Sequence, residues 1–211
     1  MKTSRIPSEG YGSNCWLICD GDSGEYAIVD PSAPVEIVMA FLQKRDLEYG
    51  KLKYVLLTHG HFDHILAADD VRDISHAPLA VHSADAQCLT DSMKNEYKYF
   101  FRKELVMRPA EIILKDSDEL YIGNNKIKVM HTPGHTPGGV CFITDDSIYS
   151  GDTLFDMSVG RTDLEGGDPA ELQNSLRRLA ALDGDYTLYP GHGSVSTLEK
   201  QRLLNPYLRE L

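Results

Sequence analysis

Four side chains that can bind a metal lie within six residues of this chain, directly after an apolar run. The run is residues 54–57, and the segment after it reads THGHFDH over residues 58–64. Its candidate ligands are His59, His61, Asp63 and His64. Clustered imidazoles lose hydration and repel one another once protonated, so burying them together gains little unless a cation lies between them. The segment therefore predicts a metal site, and the fold must bring further ligands to it.

The composition is that of an ordinary globular protein. The chain has 211 residues, of which 42% are hydrophobic and 25% are charged, and this allows a substantial core. We predict a single domain over residues 1–211. The net charge of −11 comes without a basic stripe, which argues against nucleic acid as a partner and is typical of a solvated acidic surface. These features leave the oligomeric state undetermined.

Four scattered cysteines bear on the compartment. They form no CxxC pair, so we interpret them as buried, reduced thiols in a reducing environment; they are Cys15, Cys19, Cys88 and Cys141. Residues 1–11 contain no apolar leader, and no apolar run is long enough to span a bilayer. The expectation is a cytoplasmic protein without a membrane contact.

Strand-like runs alternate with helical patterns, which is typical of α/β proteins. Predicted strands cover residues 14–19, 26–29, 53–57, 126–130, 140–144, 147–149 and 186–189. One predicted helix begins at Pro34, and another at Pro169 with Asp168 as its N-cap. The fragments IVDP…YVLLTH and YSGD…TLYPGH both contain a strand, an acidic residue, a helix, a strand and a histidine. A true repeat predicts two packed sheets with helices outside; chance, or ordinary α/β order, is the alternative.

Residues 91–110 lie between the two halves and mix aromatic with basic side chains. The aromatic and basic residues are Tyr97, Tyr99, Phe100, Phe101, Lys94, Lys98, Arg102 and Lys103. We predict an amphipathic helix and loop that cover the core. A lid over a substrate pocket is the alternative interpretation.

Three further candidate ligands follow strand ends and are flanked by glycine. They are His135 in HTPGHTPGG, Asp152 in YSGDTLF and His192 in YPGHG. This position is typical of active-site residues in many α/β folds. Together with the first segment they make a set too large for one tetrahedral zinc ion, and the set fits two ions that share a carboxylate. A closed structural zinc site would normally use cysteine. The remaining His76, His82 and His131 are predicted to be structural or surface residues.

These motifs, with the early IVDPS and the VGRTD segment after GDTLF, resemble the metallo-β-lactamase-fold hydrolases, in particular their glyoxalase II-like branch. The resemblance implies an α/β fold built as a four-layer αββα sandwich with metals at one edge. It also implies that His59, His61 and His135 hold a first ion. The second ion would be held by Asp63, His64 and His192, with Asp152 as the bridge.

The same resemblance limits the branch. Asp152 argues against a β-lactamase, because that branch commonly has cysteine at this position. The chain is too short for the inserted domain of the related RNA-processing nucleases. Glyoxalase II enzymes usually continue into a C-terminal helical domain that binds glutathione, and a chain ending at Leu211 is expected to lack it.

The predicted function is hydrolysis of a small acyl thioester such as S-lactoylglutathione by a hydroxide that bridges two divalent ions, zinc first, with iron or manganese as alternatives. Asp63 and Asp152 are the predicted catalytic carboxylates, since Asp63 could orient that hydroxide. No separate general acid is evident, which favours a thiolate leaving group, whose conjugate acid has a pKa of about 8.5. Arg161 is predicted to bind an anionic substrate tail, with a surface salt bridge as the alternative.

Two other functions remain open at this point. One is an iron-dependent persulfide dioxygenase, which shares this fold and uses only the first-site ligands. The other is a non-catalytic metal-binding protein, although a scaffold has no need of an open site.

Overall fold

The computed structural model describes residues 1–8 and 12–210, which form two β-sheets packed face to face with helices outside. The predictions for the last part of the 1–11 segment and for Leu211 fall outside these residues. The first sheet, in spatial order, contains β1 Lys2–Ile6, β2 Cys15–Cys19, β3 Tyr26–Val29, β4 Leu52–Leu56, β5 Leu79–His82 and β6 Ile112–Leu114. Strands β1 to β3 are antiparallel, and β3 to β6 are parallel.

The second sheet repeats this plan in the other half of the chain. Its strands in chain order are β7 Glu119–Ile122, β8 Asn125–His131, β9 Val140–Ile143, β10 Ser147–Gly151, β13 Thr187–Pro190 and β14 Ser196–Thr197. A separate short ribbon follows β10 and pairs β11 Leu154–Phe155 with β12 Ser158–Val159. Each sheet contains a pair of neighbouring parallel strands that is joined through a helix, β3 with β4 in the first sheet and β10 with β13 in the second. The predicted similarity of the two halves is therefore present in the sheet topology.

Helices cover the outer face of each sheet. They are α1 Val35–Gln43, α2 Phe62–Ile65, α3 Ala68–Ser75, α4 Tyr97–Phe101, α5 Pro169–Ala180, α6 Leu198–Leu204 and α7 Pro206–Arg209. The predicted cap of α5 is confirmed, because the Asp168 carboxylate accepts hydrogen bonds from the Ala170 and Glu171 amides. The prediction that α1 begins at Pro34 is wrong by one residue. Pro34 is the non-helical N-cap, and the first helical residue is Val35.

Three apolar clusters separate the layers, because successive strand residues face opposite sides of a sheet. Leu17 packs under α1 and α3, whereas Ile18 faces the second sheet. Phe142 faces the first sheet, whereas Cys141 packs under α5. The order is thus helix, sheet, sheet, helix, and the αββα prediction is confirmed.

The sequence missed several strands that the fold supplies. Strand β1 is a polar edge strand, KTSRI, whose last residue alone is buried, so it carries little hydrophobic signal. Strands β5, β6 and β7 are three or four residues long, and β11, β12 and β14 are two residues long. Pairing with neighbours rather than local preference makes these segments strands.

The burial predicted for the cysteines is confirmed for three of the four, and the reducing environment stays a prediction. All four thiols are free; Cys15, Cys88 and Cys141 are buried, and Cys19 is partly buried. Across residues 1–8 and 12–210, no helix combines the length and the apolar composition that crossing a bilayer requires.

Candidate metal centre

The carboxyl ends of four strands lead into all of the candidate ligands; β8, β10 and β13 share one direction in the second sheet, and β4 belongs to the first. Strand β4 ends just before the THGHFDH segment, and β8 ends four residues before His135. Asp152 directly follows β10, and His192 lies two residues beyond β13. Carboxyl ends of strands that share a direction meet at one edge, which is why residues distant in sequence converge there.

The structure brings the seven candidate side chains into three overlapping groups, within each of which the ligand atoms lie within 4.8 Å of one another. The groups are His59, His61 and His135; His59, His64 and Asp152; and Asp63, His64 and His192. The first and third correspond to the two ligand sets that the resemblance implies. We call them the first and second ligand groups.

The first ligand group is buried and purely imidazole. His61 Nδ1 faces His135 Nε2 at 2.9 Å, while His135 Nδ1 donates to the carbonyl oxygen of Arg161 at 2.7 Å. Burial holds the pKa of His59 well below its ordinary value and lowers the pKa of His61 to about 3. His59 and His61 are therefore neutral, and each has a lone pair available to a cation.

The tautomer of His59 follows from its neighbours. The Thr58 hydroxyl gives its one proton to Asp30 at 2.7 Å, so at 3.1 Å it can only accept from His59 Nδ1. The unprotonated atom of His59 is consequently Nε2. This atom is buried and has no hydrogen-bond partner among residues 1–8 and 12–210.

The second ligand group contains a carboxylate and is more open. His192 Nε2 lies 3.2 Å from Asp63 Oδ2 and 3.3 Å from His64 Nε2, and the His192 side chain is 31% exposed. Burial raises the pKa of Asp63, whereas His64, His192 and His61 lower it. The effect of the histidines is the larger, so the pKa lies well below its usual range. Burial opposes charge on His64, but the surrounding carboxylates outweigh it and raise its pKa to about 10.

Asp152 lies between the two groups. Its Oδ1 is 3.4 Å from His64 Nε2, and its Oδ2 is 3.5 Å from both His135 Nε2 and His192 Nε2. The Oδ1 atom is buried and accepts no hydrogen bond from any residue that the structure describes. A buried unsatisfied polar atom costs about 1–3 kcal/mol. Two such atoms, here and on His59, with a donor set of imidazoles and carboxylates, fit divalent metal ions.

Two buried carboxylates at the site were not identified from the sequence. Asp30 accepts from the Thr58 amide at 2.8 Å and from His64 Nδ1 at 2.9 Å, which directs His64 Nε2 towards the ligand groups. Asp30 is the acidic residue of the IVDP fragment, so the similarity of IVDP to YSGD, which contains Asp152, could have identified it. Asp85 contacts two ligand loops, and nothing in its surrounding sequence, HSADAQ, indicates this role.

Arg161 is placed beside the first ligand group, and its side chain is engaged. Its exposed guanidinium makes two hydrogen bonds of 2.6 Å to the Asp163 carboxylate. Its positive charge also contributes to the lowered pKa of His61, after burial and His135. A role in substrate binding stays a prediction.

The segment over residues 91–110 borders the site through aromatic contacts. Ring centroids of Tyr97, Phe100 and Phe101 lie 5.4–5.9 Å from that of Phe62, which sits between two candidate ligands in sequence. Tyr99 and Phe100 are exposed. The segment does cover part of the core, since Met107 is buried there. Movement as a lid stays a prediction.

The other three histidines lie outside the ligand groups. His82 and His131 stack on each other with ring centroids 4.0 Å apart, and burial together with His131 lowers the pKa of His82 to about 4. His76 is exposed and ends α3 in a left-handed conformation. Each therefore has a structural or surface position.

A sandwich of two mixed sheets, with a convergent His/Asp cluster where strands of both sheets end, defines the class of metallo-β-lactamase-fold proteins. The sequence profile of the Metallo-beta-lactamase superfamily matches residues 9–192, and the chain belongs to this superfamily. Its members are generally hydrolytic metalloenzymes that bind divalent metals.

Related proteins share the full length of the chain. "Uncharacterized protein ML0493" of Mycobacterium leprae (strain TN) is 36% identical over 227 residues, covering 100% of both chains. "Hydroxyacylglutathione hydrolase GloC" of Haemophilus influenzae is 31% identical, covering 99% of this chain and 98% of that protein.

Solved structures show the same fold. The "BLEG-1 B3 metallo-beta-lactamase" aligns with a TM-score of 0.91 at 33% identity, covering 98% of this chain and 99% of that one. "TTHA1623 in a di-iron-bound form" aligns at 0.83 and 31% identity, covering 96% and 99%. "ETHE1 from Myxococcus xanthus" aligns at 0.80 and 25% identity, covering 98% and 84%.

Proposed function

We propose that this protein is a dinuclear metal-dependent hydrolase of small acyl thioesters, in the glyoxalase II-like branch of its superfamily. The observation that carries the proposal is the position of Asp152, within 3.5 Å of histidines from both ligand groups. One ion needs about four ligands, whereas seven converge here. The similarity to a hydroxyacylglutathione hydrolase over the full length supports the thioester as substrate class.

The first ligand group would hold one ion and the second ligand group the other, with Asp152 in contact with both. Such a pair would lower the pKa of a water molecule to about 7 and polarise the substrate carbonyl. We propose zinc, with iron or manganese as alternatives, because imidazole and carboxylate accept all three. Similarity to a protein solved in a di-iron-bound form keeps iron among them.

Asp63 would orient the attacking water. The low pKa of its carboxyl keeps it ionised at neutral pH, so it accepts a hydrogen bond from the water and does not hold a proton. Among the described residues, no separate general acid for the leaving group is evident beside the seven candidate ligands. A thiolate leaves without one, which favours a thioester over an amide.

The substrate would be a small molecule with an anionic tail near Arg161. Releasing this side chain from Asp163 costs little, because an exposed ion pair contributes only about 0–1 kcal/mol.

The net charge of −11 disfavours nucleic acid as a partner. We also propose one domain, since the cluster between the sheets takes side chains from both halves, and a cytoplasmic location, since the thiols are free.

One observation favours a second candidate, a mononuclear iron persulfide dioxygenase. The first ligand group is a compact buried set that could hold an ion by itself. In that case the second ligand group would be unused. The non-catalytic alternative gains no support from any contact described above.

The test is thiol release from S-lactoylglutathione by protein loaded separately with zinc, manganese or iron. Oxygen uptake with glutathione persulfide and hydrolysis of a β-lactam run beside it. We expect metal-dependent thiol release that Asp152→Ala lowers about 10³-fold. Oxygen uptake by iron-loaded protein, with no thioester cleavage under any metal, would establish the dioxygenase instead. No activity in the three assays with metals bound would leave a metal-binding protein.

A further inference from the structure

The buried carboxylate of Asp85 connects the two loops that supply the first ligand group. Asp85 lies in the turn after β5 and is 0% exposed. Its Oδ2 accepts from the Gly60 amide at 3.0 Å and from the Thr136 hydroxyl at 2.8 Å. Its Oδ1 accepts from the Gly138 amide at 2.6 Å. All three donors thus come from these two loops.

Each donor is adjacent to a ligand or a few residues from one. Gly60 separates His59 from His61, and Thr136 follows His135. Within residues 1–8 and 12–210, Asp85 makes no hydrogen bond to any of the three imidazoles, so it acts on them through the loops that carry them. Asp85 thus links a loop of the first sheet to a loop of the second.

One glycine in each loop, Gly60 and Gly138, is explained by the closeness of residues 85–88. A Cβ on Gly138 would overlap the Asp85 carboxylate, and a Cβ on Gly60 would overlap the side chain of Cys88. Neither glycine has a left-handed backbone, so space rather than conformation restricts these positions. The approach is close because the loops must reach one carboxylate.

We propose that Asp85 is a positioning residue that fixes the spacing between the His59–His61 loop and His135, and so sets the affinity of the first ligand group for its ion. The inference rests on the proposed metal-binding function. It assigns a task to a residue that reaches neither metal nor substrate. Groups that orient metal ligands from behind typically change metal affinity 10- to 100-fold when they are mutated.

The decisive variant is Asp85→Asn. An amide keeps the size of the side chain but turns one acceptor into a donor, so at least one of three donors faces an N–H group. The loops should then separate while the sheets remain folded. The matched control is Asp20→Asn, at the far end of β2, where a buried carboxylate also accepts from Ser23 and Asn125.

Zinc affinity is measured by competition with a chromophoric chelator, and the ligand field by the visible spectrum of cobalt-substituted protein. We expect Asp85→Asn to lower the affinity for one zinc ion 10- to 100-fold and to change the cobalt spectrum. Asp20→Asn should leave both unchanged, even if both variants melt at a lower temperature. Zinc affinities within threefold of the wild type, with an unchanged spectrum, would reduce Asp85 to a structural residue.

A milder variant covers the case in which Asp85→Asn does not fold. Thr136→Val removes one donor and keeps the carboxylate, and we expect it to weaken the same ion about threefold to tenfold. Unchanged affinity in that variant would overturn the inference. If the wild type binds a single ion, the dinuclear function fails, and the same comparison on that ion still decides the role of Asp85.

Discussion

The two halves of the molecule supply the candidate metal centre in different ways. The first half contributes four side chains from residues 59–64, where the end of β4 runs into α2. The second half contributes His135, Asp152 and His192 from three separate loops. Both halves use the same strand–helix–strand plan, so the difference lies in how far along the chain the ligands are spread.

This difference shows what holds each part in place. The local segment has its geometry fixed by short-range backbone structure, and by Asp30 and Asp85 behind it. The dispersed ligands depend on the pairing of β8, β9, β10 and β13, which places their loops at one edge. A change to the residue that joins the halves should therefore cost most.

Asp152→Ala should have the largest effect, because it removes the one carboxylate that lies between both groups. We expect kcat/KM to fall about 10³-fold, or about 4 kcal/mol, and bound metal to fall with it. Thiol release and elemental analysis measure the two. Asp156→Ala, four residues on and outside the ligand groups, is the control and should retain its metal. A metal-replete crystal structure with one ion, and with His64 and His192 turned away from it, would refute the dinuclear assignment.

His59→Ala and His192→Ala compare the halves directly. His59 is buried, so we expect about 100-fold lower activity and loss of one ion, since water cannot easily replace its imidazole. His192 is partly exposed, and water can take its place, so about tenfold is expected.

Metal content and kcat/KM are measured for both variants, with His82→Ala as the control for removing a buried imidazole outside the ligand groups. Equal losses in the two variants would mean that the difference in burial has no functional consequence.

Asp30→Asn should lower the affinity of the second ligand group for its ion about tenfold. This is the lower end of the effect of mutating a residue that hydrogen-bonds to a metal ligand. The one amide oxygen can replace either Oδ1, which accepts from the Thr58 amide, or Oδ2, which accepts from the Thr58 hydroxyl and from His64 Nδ1. When it replaces Oδ1, an N–H group faces His64 Nδ1 and the His64 tautomer is no longer fixed. Nitrogen NMR of the imidazole, with chelator competition, reports both effects. A single unchanged tautomer with unchanged affinity would contradict the role.

Arg161→Ala should have the smallest effect. The side chain is exposed and paired with Asp163, so its contribution to binding an anionic tail is at most about 1 kcal/mol, or about fivefold in KM. Steady-state kinetics with an anionic and a neutral thioester measure it, and Arg178→Ala, which also removes an exposed paired arginine, is the control. If KM for the anionic thioester does not change, the binding role should be dropped.

The sequence by itself determined the alternation of strands and helices, the αββα class and the identity of the seven side chains that converge. Each of these has a local signal: the stripe of α5 with its Asp168 cap, the spacing of His59 and His61, and the glycines beside His135 and His192. Strand β1 was missed because a polar edge strand buries too little to leave a pattern.

Only the tertiary structure decided how the candidates divide into groups and what holds them from behind. Asp152 falls between the groups because β10 pairs with β13 on one side and β9 on the other. Asp85 has its role because a turn of the first sheet meets two glycine loops, and no spacing in the sequence records that contact. Hydrogen bonds to a buried carboxylate depend on distances in space, and the fold alone sets those distances.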